Sequence, residues 1–71
     1  MTDTRRLKEV IEANGLKTSF LAEKLGISRQ ALLNKMSNKT EFKAGETLVL
    51  RELLNLTPEQ WESLFFTKNV E

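Results

Sequence analysis

Apolar residues recur at helical spacing in five segments of this 71-residue chain. In the first segment Leu7, Val10 and Ile11 are three and four residues apart and form one inward stripe. The last segment begins with Thr57-Pro58, a capping residue followed by proline at the first helical position. The predicted helices cover residues 4–14, two short stretches within 18–37, about 44–55, and 58–66. The pattern predicts an all-α fold, a compact five-helix bundle in which residues 1–71 form a single domain.

Residues 18–37 predict a helix-turn-helix with its turn at Gly26-Ile27-Ser28. Gly26 follows Leu25 directly, where a residue in the left-handed conformation commonly ends a helix. The hydroxyl of Ser28 is suited to cap the helix that follows. Ala22 is small where the two helices would cross, so their axes can approach closely.

The second helix of this unit combines an inward apolar side with an outward polar arc. Leu32 and Met36 are four residues apart and point inward. The outward residues are Arg29, Gln30, Leu33, Asn34 and Ser37. Glutamine and asparagine amides form paired hydrogen bonds with adenine, and arginine does the same with guanine, in the major groove of DNA. Leu33 either packs on a thymine methyl group or covers the edge of the core. We predict that base reading falls to Ser28, Arg29, Gln30, Leu33 and Asn34.

Residues on both sides of this helix are candidates for phosphate contacts. Lys17 and Thr18 stand at the start of the first helix of the unit, where free amides and a partial positive charge favour an anion. Asn38, Lys39 and Thr40 follow the second helix. Lys35 lies opposite Arg29 on the same helix, so contact with phosphate, solvent or an acidic group of a partner is open. The predicted phosphate contacts are Lys17, Thr18, Lys35, Asn38, Lys39 and Thr40.

The net charge of +1 conceals an uneven distribution. Residues 17–43 hold six bases and two acids, a balance of +4, whereas residues 44–71 hold two bases and five acids, a balance of −3. The first sixteen residues balance at zero. Basic charge concentrated on one structural unit is typical of nucleic-acid-binding domains, although chance clustering would give the same numbers.

Composition narrows the other possibilities. The chain has no cysteine and no histidine, which argues against disulfides, the usual zinc sites and most nucleophile–base pairs. The sequence has no glycine-rich phosphate loop and no carboxylate pair in an apolar setting, so we expect no enzymatic activity, cofactor, metal or small-molecule ligand. No apolar run approaches the roughly 18 residues of a membrane span. We therefore expect no membrane association and a cytoplasmic location.

The aromatic C-terminal segment, residues 57–71, is a candidate dimerisation region. One helix in the groove reads only a few base pairs, so such proteins commonly bind as two copies on half-sites about 34–36 Å apart. The predicted interface consists of Trp61, Leu64, Phe65 and Phe66. The alternative is that these side chains complete the core against the first and fourth helices. Phe20 has a similar choice between covering the core edge, which we favour, and forming an interaction surface.

The helix-turn-helix resembles that of the phage Cro and repressor-like (XRE-type) regulators. Ala22 matches the family's small residue, Gly26 its turn glycine, and Ile27 and Leu32 its two following apolar positions. The resemblance extends over roughly residues 5–66, where the chain is similar to short regulators of Gram-positive phages and mobile elements. It implies a bacterial transcription regulator that binds a palindromic double-stranded DNA operator as a homodimer, formed in solution or only on DNA.

Two positions depart from the family pattern. Lys35 stands at a usually apolar position, and we expect Met36 to take over its packing. Lys17 replaces a capping Thr or Ser, so we expect the first helix of the unit to begin at Thr18. The competing hypothesis, favoured by Leu33, Phe20 and the aromatic end, is a protein-binding module on the same fold, such as an antirepressor or an antitoxin-like partner.

Overall fold

The computed structural model describes residues 1–66, and over that range it consists of five α-helices joined by short loops. The helices are α1 (Thr4–Ala13), α2 (Thr18–Leu25), α3 (Arg29–Lys35), α4 (Ala44–Leu53) and α5 (Pro58–Phe65). The predicted all-α five-helix bundle is confirmed. Helices α1 and α5 end one residue earlier than the apolar pattern predicted, and α4 ends two residues earlier.

Local capping explains where most of the helices begin. Asp3 accepts a hydrogen bond from the Arg6 backbone N–H at 3.2 Å and caps α1. At α5, the Thr57 hydroxyl accepts from the Gln60 N–H at 3.1 Å, and the Gln60 side chain accepts from the Thr57 N–H at 2.9 Å. This reciprocal pair satisfies two amides that the helix itself leaves without partners.

The connection between α2 and α3 has the turn that the sequence predicted. Gly26 has φ +71°, in the left-handed region, and its N–H donates to the Glu23 carbonyl at 3.1 Å. The Ile27 N–H donates to the Ala22 carbonyl at 3.0 Å and closes the last turn of α2. Ser28 then caps α3 by accepting from the Ala31 N–H at 3.0 Å. Three residues therefore suffice to redirect the chain from one helix into the next.

The core draws one fully buried leucine from each helix. These residues are Leu7, Leu21, Leu32, Leu50 and Leu64. Met36, in the turn that follows α3, is also buried. Phe42, in the α3–α4 loop, packs edge-to-face on Phe65 with 5.5 Å between the ring centroids. This contact joins the loop to the inner side of α5.

Two residues of the predicted dimer interface belong instead to this core. Leu64 and Phe65 are buried, so their assignment to a partner surface was wrong. The reason is the packing of α5 against both α1 and α4, which turns these two adjacent residues inward. Trp61 is partly buried and Phe66 is exposed. The rest of the candidate segment, residues 67–71, lies outside the described residues.

Over residues 1–66, none of the helices combines the length and the apolar character needed to cross a bilayer.

Candidate nucleic-acid interface

The first two turns of α3 bring the predicted base-reading residues onto one exposed arc. Arg29 and Gln30 are exposed, Leu33 is 36% exposed and Asn34 is half-buried. Within residues 1–66, Arg29 forms no ion pair or side-chain hydrogen bond, so its guanidinium is free to meet a ligand. The structure therefore places these side chains together on the surface, and their contact with bases stays a prediction.

A hydrogen bond joins the two amides of this arc. Gln30 Nε2 donates to Asn34 Oδ1 at 3.0 Å, across one turn of α3. The bond leaves Gln30 with a free acceptor, Oε1, and one further N–H donor, while both N–H groups of Asn34 remain outside the pair. An acceptor and a donor side by side match the N6 and N7 edge of adenine. Because Asn34 holds the Gln30 amide, less side-chain freedom is lost when that amide binds.

Ser28 is partly committed to the fold. Its hydroxyl oxygen accepts one hydrogen bond as the cap of α3, which leaves its O–H donor for a phosphate and one lone pair besides for a base edge.

Lys17 and Thr18 are placed at the start of α2 as predicted. Helix α2 begins at Thr18, Lys17 is its N-cap residue, and no side chain caps the free amides there. Lys17 is exposed at this helix terminus. Both the helix terminus and the lysine would attract the same anion.

Lys39 and Thr40 are exposed in the loop after α3, and only their side chains are free for an anion. Their backbone N–H groups donate to the Asn34 carbonyl at 2.9 and 3.4 Å. The loop therefore folds back onto the last turn of α3.

Asn38 holds this loop in place from within the fold. It adopts the left-handed conformation, with φ +61°, and its side-chain amide donates to the Thr2 carbonyl at 3.0 Å. Thr2 is itself buried, and the neighbouring Asp3 N–H donates to the Leu64 carbonyl at 2.8 Å. The Asn38 amide is thus turned toward the N-terminal segment, which argues against the phosphate contact predicted for it.

Lys35 requires a clear correction, because its ammonium is inside the protein. Lys35 Nζ lies 3.0 Å from Glu46 Oε1 and donates to the Glu41 carbonyl at 3.0 Å. The side chains of Lys35 and Glu46 are each only 11% exposed. Glu46 Oε1 also accepts from the Lys43 backbone N–H at 2.8 Å, at the start of α4. Lys35 therefore fastens α3 to the α3–α4 loop and α4, and it is not placed to contact phosphate.

The sequence contains a signal for this ion pair, although the local pattern of a single helix does not reveal it. A lysine at an otherwise apolar position needs a compensating acid if it points inward. Glu46 in the first turn of α4 is such an acid, but the fold alone brings the two together.

The exposed surface of the helix-turn-helix and its flanks has a net positive charge even when Lys35, which is buried, is not counted. Residues 17–43 then expose five bases and two acids, a balance of +3. The five bases are Lys17, Lys24, Arg29, Lys39 and Lys43, and the two acids are Glu23 and Glu41. Residues 44–66, without Glu46, hold Arg51 and three glutamates, a balance of −2. The contrast between the two halves that the sequence indicated therefore survives at the surface.

Two apolar side chains are exposed on the same unit. Phe20 is 36% exposed, with the Lys24 ammonium 5.5 Å from its ring centroid, and its covering of the core edge stays a prediction. Leu33 lies at the rim of a shallow groove that is also lined by Ile11, Leu16 and Met36. Leu33 thus shares a groove with the core residues Ile11 and Met36 and presents apolar surface on the same arc as Gln30.

Comparison with known protein families, with curated proteins and with solved structures finds no match to this chain.

Proposed function

We propose that this protein is a sequence-specific double-stranded DNA-binding transcription regulator of Cro or repressor type. It would act by occupying an operator and blocking the polymerase. The observation that carries the proposal is the outward arc of α3, where a free guanidinium stands beside two amides joined at 3.0 Å. The net positive charge of the exposed groups around this arc, and the resemblance of residues 18–37 to the Cro and repressor-like helix-turn-helix, support it further.

In this proposal α3 enters the major groove with the Gln30 amide facing adenine and the Arg29 guanidinium facing guanine. Each well-formed bidentate contact would contribute about 1–3 kcal/mol of discrimination against a wrong base. Leu33 would add apolar contact with a thymine methyl group.

Phosphates on the two flanks would be held by different elements. The start of α2, with Lys17 and Thr18, would bind one strand, and Lys39 with Thr40 would bind the other. Lys17, Lys39 and Arg29 are the positive charges at or next to these contacts in the sequence. If each neutralises at most one phosphate, each copy neutralises about two or three. Log affinity should then fall with log salt concentration with a slope of about −2 to −3 per copy.

A fluorescence anisotropy titration on selected DNA tests the proposal. Oligonucleotides bound from a random pool provide the target sequence, and its symmetry and spacing show whether two copies bind. We expect a preference over scrambled DNA of at least a hundredfold and a clear salt dependence. The triple variant Arg29→Ala, Gln30→Ala, Asn34→Ala should lose the preference but stay folded, because these side chains are not part of the core. Binding that is independent of both salt and sequence would refute the proposal.

The alternative is a protein-binding module on the same fold, and the exposure of Phe20 and Leu33 favours it. The two hypotheses predict opposite outcomes for the triple variant in a pull-down from bacterial extract. A protein-binding module would retain its partner in the triple variant and lose it in Phe20→Ser or Leu33→Ser. For a DNA-binding regulator, the triple variant should lose binding to the target DNA.

A further inference from the structure

Asn14 and Gly15 form the turn that ends α1, and both residues are exposed. Gly15 has φ +67°, in the left-handed region, and its N–H donates to the Glu12 carbonyl at 3.0 Å. The Leu16 N–H donates to the Ile11 carbonyl at 3.3 Å, so the helix closes with a Schellman motif. A few hydrogen bonds at a helix end hold this turn, and such ends open with a small free-energy difference.

The Asn14 side chain and the Gly15 backbone carry two groups that react with each other in water. The Gly15 nitrogen, once deprotonated, attacks Cγ of Asn14. A bond forms between this nitrogen and Cγ, the bond from Cγ to Nδ2 breaks, and the departing nitrogen takes up a proton and leaves as ammonia. Water then opens the five-membered succinimide at one of its two carbonyl carbons. The product at position 14 is aspartate or isoaspartate.

Glycine is the following residue that hinders this attack least, because it has no Cβ and its backbone adopts the most conformations. Asn14 is the one asparagine of the chain that precedes a glycine. The residues that follow the other four asparagines are Lys35, Lys39, Leu56 and Val70. No atom lies within 4 Å of the place that a Cβ on Gly15 would occupy. Tertiary packing therefore leaves the attacking residue uncovered.

The folded turn slows the reaction, because both reacting groups have hydrogen-bond partners. Asn14 Nδ2 donates to the Val10 carbonyl at 2.8 Å, and the Gly15 N–H is held by the Glu12 carbonyl. Both acceptors belong to the last turn of α1, so a single local opening frees the two groups together. The rate in the folded chain is then set by how often this turn opens.

The other asparagines of the described chain are held more firmly. Asn34 lies inside α3 and Asn38 is half-buried, and the side chain of each is engaged in a hydrogen bond at 3.0 Å. Asn55 is exposed, but the residue whose nitrogen would attack it, Leu56, is buried in the core. These three positions serve as internal controls for the reaction at Asn14.

We propose that Asn14 is a site of spontaneous deamidation and the first asparagine of this chain to convert. Conversion places a carboxylate at the C-terminus of α1, where the helix dipole disfavours negative charge, and it removes the donor to the Val10 carbonyl. Isoaspartate also adds a methylene group to the main chain within the turn. The modified chain should therefore melt at a lower temperature than the unmodified chain.

The new charge also acts on the proposed DNA interface, and this part of the inference rests on the proposed function. Asn14 is three residues from Lys17, so their Cα atoms are at most about 11 Å apart. A carboxylate at that distance repels a phosphate held at the start of α2, which weakens binding by about twofold at low salt. Added salt screens the repulsion and removes the difference.

Incubation of the full chain at neutral pH for several weeks, followed by peptide mapping with mass spectrometry, tests the reaction. We expect the mass gain of an amide-to-acid conversion at Asn14 before any other asparagine. The converted peptide should elute as two species, because the succinimide opens in two directions. In urea the conversion should be about tenfold faster or more, since the turn is then open. Asn14→Gln is the matched control: it keeps the amide, but its ring would have six members and forms far more slowly.

A variant that carries the charge from the start tests the effect on binding. Asn14→Asp should bind selected DNA about twofold more weakly than the wild type at low salt and equally at high salt, as measured by anisotropy. Asn14→Gln should bind like the wild type at both. Circular dichroism on both variants separates an effect of charge from a loss of fold.

Two outcomes of the mapping would overturn the proposal. One is an unconverted Asn14 in the folded chain after a period in which the chain in urea converts fully. The other is conversion at Asn55, or at Asn69 in the last five residues, ahead of Asn14. Equal affinities of Asn14→Asp and the wild type at low salt would overturn the binding effect. Because the mapping uses no DNA, its result is distinguishable from failure of the DNA-binding proposal.

Discussion

Replacing Lys35 with methionine removes the positive end of a buried ion pair while keeping an unbranched side chain in the same space. The Glu46 carboxylate would keep its hydrogen bond from the Lys43 N–H at 2.8 Å but lose the ammonium at 3.0 Å. It would remain 89% buried, since only 11% of the side chain is exposed. Removing one partner of a fully buried pair costs about 3–5 kcal/mol. The residual exposure and the retained hydrogen bond reduce the expected cost to about 2 kcal/mol.

A loss of about 2 kcal/mol would be large for a domain of this length. The free energy of unfolding of such a chain is about 4–10 kcal/mol, and each kcal/mol shifts the melting temperature by about 4–8 °C. Urea denaturation followed by circular dichroism measures the change. Lys43→Met is the matched control. Lys43 lies in the α3–α4 loop and its side chain is exposed, so this substitution should change the free energy of unfolding by less than about 0.5 kcal/mol.

Glu46→Gln completes a double-mutant cycle for this pair. Glutamine keeps an acceptor for the Lys43 N–H and removes the charge, so the single variant should lose about 1–2 kcal/mol. The double variant leaves no unpaired charge. Its loss of unfolding free energy should therefore be smaller than the sum of the two single losses by about 1–2 kcal/mol. Strict additivity of the two losses would refute the argument that the contact stabilises the fold.

The same Lys35→Met variant separates a structural role from a phosphate contact. Under conditions in which it stays folded, the slope of log affinity for DNA against log salt should match that of the wild type. A phosphate ligand would reduce the slope by about one unit for each copy. A reduction of that size would reinstate the contact predicted from the sequence and contradict the buried placement.

Three further predictions follow from other parts of the structure. Lys39→Ala should reduce the salt slope by about one unit per copy at unchanged melting temperature, as measured by anisotropy and circular dichroism, because its side chain is exposed. Gln30→Ala and Asn34→Ala should each lower the affinity for selected DNA, and a double-mutant cycle should show a coupling of at least about 0.5 kcal/mol between them. Additive losses would mean that the 3.0 Å hydrogen bond from Gln30 Nε2 to Asn34 Oδ1 is broken on binding. Gly26→Ala should lower the free energy of unfolding by about 1–2 kcal/mol in urea denaturation, because φ at this position is +71°. A larger loss would require a steric clash, and no atom lies within 4 Å of the added Cβ.

The sequence predicted the bundle well because each helix carries its own signals. Every helix has leucine at helical apolar spacing, and one leucine of each helix is fully buried. The caps at Ser28 and Thr57 and the left-handed Gly26 are likewise properties of a few consecutive residues. Such features depend on local spacing, so they can be recognised without knowledge of the tertiary fold.

The parts that were predicted incorrectly depend on contacts between distant residues. Four large apolar residues between positions 61 and 66 all look suitable for burial, and only the packing of α5 on α1 and α4 decides that Leu64 and Phe65 turn inward. The partner of the Asn38 amide is 36 residues away in the chain, at Thr2. Composition and periodicity contain no information about such separations.

Asn34 shows how these distant contacts bear on the proposed function. Its side chain holds the Gln30 amide, while its carbonyl accepts the backbone N–H groups of Ser37, Lys39 and Thr40 at 3.3, 2.9 and 3.4 Å. One residue thus fixes the distance between the Gln30 amide and the loop that, in the proposed function, binds phosphate. The buried ammonium of Lys35 secures the far end of the same loop through the Glu41 carbonyl. If α3 binds in the groove, the loop is therefore delivered to the phosphates at a fixed offset, and little order has to be created on binding. Part of the rigidity of this loop then comes from Lys35, whose ammonium is buried away from the exposed arc of α3.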